Sequence, residues 1–245
     1  MTYYHGHEDA YRKLEADGAS CWDRAEFDRF CLRPFLESAL ERLAFGPPPW
    51  RALELGCGAG PAACFLAQRG FEVEGVDISP TAIRMAQAHA RRLGLQAQFS
   101  VADVLSLEGA DRYNLILDGH CLHCIVFDPE RAQVLQSVRR LLKPGGVLLV
   151  ETMADAPAMR FAESSHLDAQ GILWVPIRAG HPLGAVQVEG EWRLPTRRIK
   201  AASELQREIE SAGLILERSD LVAQTEPEPG LFQAIARKPA AARSA

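Results

Sequence analysis

Apolar residues recur at helical spacing through the first fifty positions of the chain. Phe27, Phe30, Cys31, Pro34, Phe35, Leu36, Leu40 and Leu43 make one amphipathic face. Pro47, Pro48 and Pro49 then stop the helix. From Trp50 the pattern changes, and short apolar runs alternate with amphipathic stretches. They predict strands at 52–55, 71–76, 98–102, 113–117 and 147–150, with helices at 61–69, 80–93 and 129–142. Pro129 stands at an early helical position, and Lys143-Pro144-Gly145-Gly146 is a turn. Strands alternating with helices of this length predict an α/β fold with a parallel sheet covered on both faces.

The rhythm breaks at residues 153–200, where Gly, Pro and single apolar residues mix. Strand-like pieces at 172–177 and 185–194 predict an insertion containing a β-ribbon. Ser203 reads as the N-cap of a helix through Ala212, closed by Gly213. Strands at 214–221 and 231–237 follow, separated by the turn-rich residues 226–230. The expected organisation is a helical cap (1–49), a ligand-binding core (50–152), a substrate-side insertion (153–200), a helix and strand pair completing the core (201–238), and a frayed Ala-rich tail (239–245).

Composition narrows the class. Hydrophobic residues make up 47% of the 245 positions and charged residues 24%, the balance of a folded globular domain. The formal net charge of -5 supplies no global positive field for nucleic acid, and the Arg pairs are short. No apolar run approaches the ~20 residues of a membrane span. Residues 1–9 are polar and aromatic, unlike a secretion signal. Six cysteines are too few for a disulfide scaffold in a chain this long, so a reducing, cytoplasmic setting is expected.

Open parallel sheets bind ligands at the carboxyl ends of their strands, and four turns there carry chemistry. After the first strand comes Glu54-Leu55-Gly56-Cys57-Gly58-Ala59-Gly60. Its glycines let the backbone turn tightly and approach a ligand, although a plain strand-to-helix turn has a similar composition. After the second comes Asp77-Ile78-Ser79. A carboxylate there can accept both hydroxyls of a ribose; alternatively Asp77 or Ser79 caps the next helix. Asp103-Val104 follows the third strand, with a carboxylate able to accept from an exocyclic adenine amine. Asp118-Gly119-His120 follows the fourth, where the chain widens toward the reacting centre.

In this order and spacing the motifs resemble those of class I S-adenosylmethionine-dependent methyltransferases. Residues 52–60 look like that family's first motif, Asp77 and Asp103 resemble its ribose and adenine positions, and residues 141–146 are similar to its turn before the fifth strand. The resemblance covers residues 50–152, and 203–238 fit the family's final helix and antiparallel strand pair. It implies a seven-stranded, doubly wound, Rossmann-like sheet with an N-terminal helical cap and an insertion after strand five. It also implies S-adenosylmethionine as cofactor and S-adenosylhomocysteine as product. Gly56, Cys57, Gly58 and Gly60 would then face the methionine portion, and Glu54 would orient the loop or the amino group. Asp77 would hold the ribose, Ile78 would pack on adenine, Asp103 and Val104 would line the base, and Asp118, Gly119 and His120 would sit near the sulfonium.

A nicotinamide oxidoreductase shares this fold logic, but the last glycine of its fingerprint, counted from Gly56, falls on Pro61. A non-catalytic relative that only binds ligand is a further alternative. Because the cofactor carries the reactive carbon, methyl transfer needs in-line positioning, and a base only where the acceptor must lose a proton.

His120-Cys121-Leu122-His123-Cys124 supports three readings. His123 or His120 deprotonates the acceptor; Cys121 and Cys124 hold a metal or metalloid in Cys-x-x-Cys spacing; or the residues simply pack, as the family's Leu-His pair does. With no second Cys pair, and with His166 and His181 distant in sequence, no bound metal is expected. Tyr3, Tyr4, His5, His7, Tyr11 and Trp22 form an aromatic cluster that either closes over the cofactor or staples the first helix to the sheet. Trp192, Arg197 and Arg198 place cationic forks beside an aromatic, suited to an acidic substrate or else solvated and paired with Glu189 and Glu191. The expected function is methylation of a small-molecule N, O or S acceptor, with Tyr11, Trp22, Trp192, Arg197 and Arg198 on the substrate side. A protein or RNA substrate is the alternative; no nucleic-acid or membrane partner is expected.

Overall fold

Strands buried on both faces read as unbroken apolar runs, and the central strands of this protein do so. The computed structural model describes residues 3–157, 159–177, 184–188, 190–224 and 228–240. Its main sheet contains β1 (Trp50–Leu55), β2 (Phe71–Asp77), β3 (Ala97–Val101), β4 (Tyr113–Gly119) and β5 (Leu142–Ala154). An insertion after β5 forms a second, antiparallel sheet from β6 (His166–Leu167), β7 (Ile172–Pro176), β8 (Val186–Val188) and β9 (Glu191–Arg198). The chain then returns to the main sheet with β10 (Ile215–Val222) and β11 (Gly230–Arg237). The seven strands lie in the order β10-β11-β5-β4-β1-β2-β3, and β11 runs antiparallel to both neighbours.

Among the described residues six α-helices accompany this sheet: α1 (Gly6–Ala16), α2 (Arg33–Arg42), α3 (Pro61–Gln68), α4 (Pro80–Arg92), α5 (Asp128–Leu141) and α6 (Ala202–Ser211). The period of two along each strand divides the core. Leu115, Leu117, Val147 and Leu149 point to the face covered by α2, α3 and α4. Ile116, Leu148 and Val150 point to the face covered by α5 and α6. All seven of these side chains are essentially inaccessible, and each is worth about 1.5–3 kcal/mol relative to exposure. The chain leaves β1 for one face and β4 for the other, so a crevice opens between those neighbouring strands at their carboxyl ends.

Several expected boundaries move. The amphipathic stretch before Pro47 is helical only over α2; Phe27, Phe30 and Cys31 precede it in turns, the two rings packing on the core while Cys31 is exposed. The carboxylate of Asp23 holds those turns by accepting from the amides of Ala25 and Cys31. The single strand expected at 185–194 is two, β8 and β9, reversing around Gly190 with φ +83°. Ser203 is not the cap of α6: Ala201 stands there, and Glu204 accepts from its amide at 3.2 Å. The Lys143–Gly146 turn lies inside β5, between the pairings Tyr113 with Leu142 and Leu115 with Val147. His181 and residues 226 and 227 lie outside the described residues.

Candidate active site

The turns after β1, β2, β3 and β4 open onto one cavity of about 740 Å³, within the roughly 300–1,000 Å³ of small-molecule sites. The glycine loop forms its floor. Gly56 and Gly58 adopt φ of +60° and +54°, the left-handed region that other residues avoid. A Cβ on residue 56 would lie 2.8 Å from the Cys121 Cβ, and one on residue 58 would collide with the Tyr11 hydroxyl. Cys57 also lines the cavity. Gly60 does not: a Cβ there would meet Ala86 at 2.9 Å and the Phe99 ring at 3.1 Å, so this glycine lets α3 approach α4 and β3.

Asp77 braces the loop from below. Its Oδ2 accepts from the Gly58 amide at 2.9 Å and its Oδ1 from the Ser79 amide at 2.8 Å. Burial raises its pKa against the pull of these bonds. Ser79 caps α4, its Oγ accepting from Ala82 at 3.0 Å. Asp77 thus lines the cavity, while the capping of α4 falls to Ser79. Glu54 is 3% exposed, and its Oε2 has no hydrogen-bond partner. Burial pushes its pKa up to about 8. A half-satisfied buried carboxylate facing a cavity is costly unless a cation or donor completes it.

Ile78, Asp103 and Val104 line the same cavity. Both oxygens of Asp103 are engaged: Oδ1 accepts from the Leu105 amide at 2.9 Å and Oδ2 from the Tyr4 hydroxyl at 2.6 Å. Tyr4 belongs to an N-terminal segment that is tied across the cavity mouth. The Tyr3 hydroxyl donates to Glu130 at 2.5 Å and accepts from the Val126 amide at 2.9 Å. Glu8 accepts from Ser79 Oγ, Thr81 Oγ1 and the Thr81 amide; burial opposes its ionisation, but these bonds bring its pKa to about 2. The aromatic cluster thus both staples and covers: Tyr3 and Glu8 anchor it, while Tyr4, His7, Tyr11 and Trp22 line the cavity.

At the end of β4, Gly119 and His120 reach the cavity but Asp118 does not. Asp118 is buried and accepts from the Leu122 amide at 3.1 Å, shaping the short turn Leu122–Cys124; burial raises its pKa to about 6. His120 adopts φ +68°, a costly conformation for this residue. Its Nε2 lies 3.0 Å from Glu151 Oε1 and 3.8 Å from Cys31 Sγ. Burial would depress its pKa, but Cys31 and Glu151 raise it to about 10, leaving an imidazolium. Glu151 is 1% exposed, and its other oxygen accepts from Gln233 at 2.6 Å. Sequence reasoning missed Glu151, although a lone carboxylate inside the apolar run of the fifth strand was a usable signal.

His123 is buried and neutral, held well below the ordinary value by burial and then by Arg197. Its Nδ1 receives the Met153 amide at 3.3 Å, which puts the ring proton on Nε2. One imidazole is thus protonated and the other has its bare nitrogen occupied. Cys121 packs against Gly56, and Cys124 donates to the His120 carbonyl at 3.7 Å. Among the described residues no three His, Cys, Asp or Glu side chains converge as a metal ion would require.

Of the residues expected on the acceptor side, Tyr11, Trp22 and Arg197 line the cavity, and Trp192 and Arg198 do not. Neighbours on a strand point to opposite faces, so Arg197 and Arg198 cannot both face one pocket. Arg198 is 6% exposed and pairs with Asp128 at 2.9 Å; Trp192 is 38% exposed toward the far end of β9. Arg131, also unforeseen, supports the site from beneath. It is 1% exposed, donates to the carbonyls of Leu122 and Ile125, and pairs with Glu208 at 2.6 Å.

The sheet order, the glycine loop and the acids after successive strands are arranged as in class I, S-adenosylmethionine-dependent methyltransferases, and residues 52–146 match the family described as a methyltransferase domain. Curated relatives include the ubiquinone biosynthesis O-methyltransferase of Leptothrix cholodnii, 30% identical over 110 residues that make 44% of this chain and 46% of that protein. The release factor glutamine methyltransferase of Koribacter versatilis is 33% identical over 178 residues, 61% of each protein. The chain therefore spans about half to three fifths of these relatives. Among solved structures, Burkholderia thailandensis 1,6-didemethyltoxoflavin-N1-methyltransferase, with its substrate and S-adenosylhomocysteine bound, superposes with a TM-score of 0.64 at 20% identity. That match covers 97% of this chain and 89% of the other, and shows the shared fold. No helix among the described residues is long and apolar enough to cross a membrane.

Proposed function

We propose that this protein is a methyltransferase that binds S-adenosylmethionine in the 740 Å³ cavity and methylates a small-molecule N, O or S acceptor. The observation that carries the reading is the unpartnered, buried Oε2 of Glu54 beside the Gly56–Gly58 loop. That oxygen calls for a cation, and an amino-acid ammonium held over an open backbone loop satisfies it. When bound, the cofactor supplies a sulfonium methyl carbon: the acceptor's lone pair forms the new bond to carbon, and the old bond's electrons leave with sulfur.

The residues of the chain position and desolvate. Asp77 holds the loop and offers its remaining lone pairs to ribose hydroxyls. Ile78 and Val104 supply apolar walls for the adenine. Tyr4, Tyr11 and Trp22 exclude water from above. Correct orientation of two reactants supplies about 7–11 kcal/mol, so no covalent intermediate on the protein is needed. Two relatives are named for oxygen and glutamine methylation and one structural neighbour for a ring nitrogen, so the fold hosts more than one acceptor atom.

Calorimetric titration with S-adenosylmethionine, S-adenosylhomocysteine and reduced nicotinamide nucleotides tests the reading. Binding of the first two, together with release of S-adenosylhomocysteine in a screen of amines, phenols, thiols and acids, is the expected result. Nicotinamide binding with no response to the sulfonium overturns it.

A further inference from the structure

Arg197 projects into the cavity from β9, which packs against the turns Leu122–Cys124 and Tyr3–His5. Among the described residues its guanidinium donates only to the carbonyl of its neighbour Thr196 and makes no ion pair. Glu228 lines the same cavity without pairing with it. The groups that feel its charge are His7, His123 and Cys124, all on the acceptor side. Glu54 and Asp77, on the cofactor side, are not among them. Burial, with Arg197 adding to it, keeps His7 neutral at a pKa of about 4. An obligate cation therefore stands among neutral imidazoles in a largely apolar chamber, where its charge is poorly screened. The fork of a guanidinium matches a carboxylate bidentately.

Building on the methyl-transfer reading above, we propose that Arg197 is the anion-binding group of the acceptor subsite and that the methyl acceptor is a small organic acid held by its carboxylate. Trp22, Met153 and Leu231 line the same chamber and offer apolar surface to the body of such a molecule. His120, paired with Glu151, adds a second cation at the cavity wall.

The test uses the intact protein saturated with S-adenosylhomocysteine and titrated with matched probes: hydroxybenzoates and 3-mercaptopropionate, each against its methyl ester and amide. At least one acid is expected to bind about tenfold or more tighter than its ester. Arg197→Met should erase that preference and Arg197→Lys retain part of it, with S-adenosylhomocysteine affinity unchanged within about twofold. Equal binding of acids and esters by the unaltered protein overturns the proposal and needs no variant. So does a tenfold loss of S-adenosylhomocysteine affinity in Arg197→Met, which would assign the guanidinium to the cofactor's own carboxylate. Failure of the unaltered protein to bind S-adenosylhomocysteine at all would instead refute the methyl-transfer reading.

Discussion

The hydroxyl of Tyr4 donates a 2.6 Å hydrogen bond to Asp103 Oδ2, joining residues 99 positions apart. It latches the N-terminal segment to the turn after β3, at the expected adenine end of the cavity. Opening this latch costs about 1–1.4 kcal/mol, the net worth of one hydrogen bond. Tyr4→Phe should therefore speed S-adenosylhomocysteine release by roughly fivefold to tenfold. Stopped-flow fluorescence, with Trp22 in the same cover as reporter, measures it; an unchanged rate would show that the segment does not gate exchange.

Asp77 should prove important for stability as well as affinity. Asp77→Ala strands the amides of Gly58 and Ser79, each worth about 1–3 kcal/mol when left without an acceptor. The expected result is a lower melting temperature together with weakened cofactor binding. Asp77→Asn, which keeps one acceptor oxygen, should recover much of the stability and less of the affinity. Thermal melts and calorimetry on the two variants separate these effects.

Glu54 makes cofactor binding pH-dependent. Its pKa rises from 4.5 to about 8 on folding, so between those values the folded protein keeps a proton that the unfolded chain releases. Stability contributed at this site consequently falls as pH rises through that window. A cation docked on Glu54 lowers the pKa again, so binding should expel a proton and affinity should climb toward pH 8. Calorimetry in two buffers of different ionisation enthalpy detects the proton, and Glu54→Gln should abolish it.

His120 loses stabilisation over a higher window. Its folded pKa of about 10 stands above the ordinary 6.5, so its contacts with Cys31 and Glu151 stabilise fully below about 6.5 and are lost as pH rises through 10. Glu151→Gln should lower the imidazole pKa, observable by NMR titration of the ring protons. For the unaltered enzyme saturated with both substrates, turnover should show no imidazole limb near pH 6.5; such a limb would restore a histidine base.

Arg131 should be among the most sensitive positions outside the cavity. Its charge is buried against Glu208 and two carbonyls of the Leu122–Ile125 stretch. Arg131→Met leaves a partly buried Glu208 with only Lys200 as counter-ion, at 2.6 Å. Loss of one partner of such a pair costs about 3–5 kcal/mol. Chemical denaturation with an unchanged m-value would verify it.

Much of the fold and of the cavity floor was legible because its signals are local. The glycine loop, Asp77 two residues before the cap Ser79, and the strand-helix alternation each depend on backbone preferences within a few positions. The acceptor end was legible only in part. Trp192 and Arg198 were grouped with Arg197 by adjacency, and the pleat of β9 separated them. Tyr4 on Asp103, Glu8 on Ser79 and Arg131 on Glu208 join residues 99, 71 and 77 positions apart, beyond the reach of any motif.

By itself the sequence determined the α/β alternation and the turns at the carboxyl ends of the core strands, since hydrophobic period, glycine and capping residues act over a few bonds. Only the tertiary structure decided which charges survive in the cavity: Glu54 half-satisfied, His120 protonated, His123 neutral and Arg197 without an ion pair among the described residues. Ionisation depends on burial and on the distance to other charges, and those are set when segments far apart in the chain pack together.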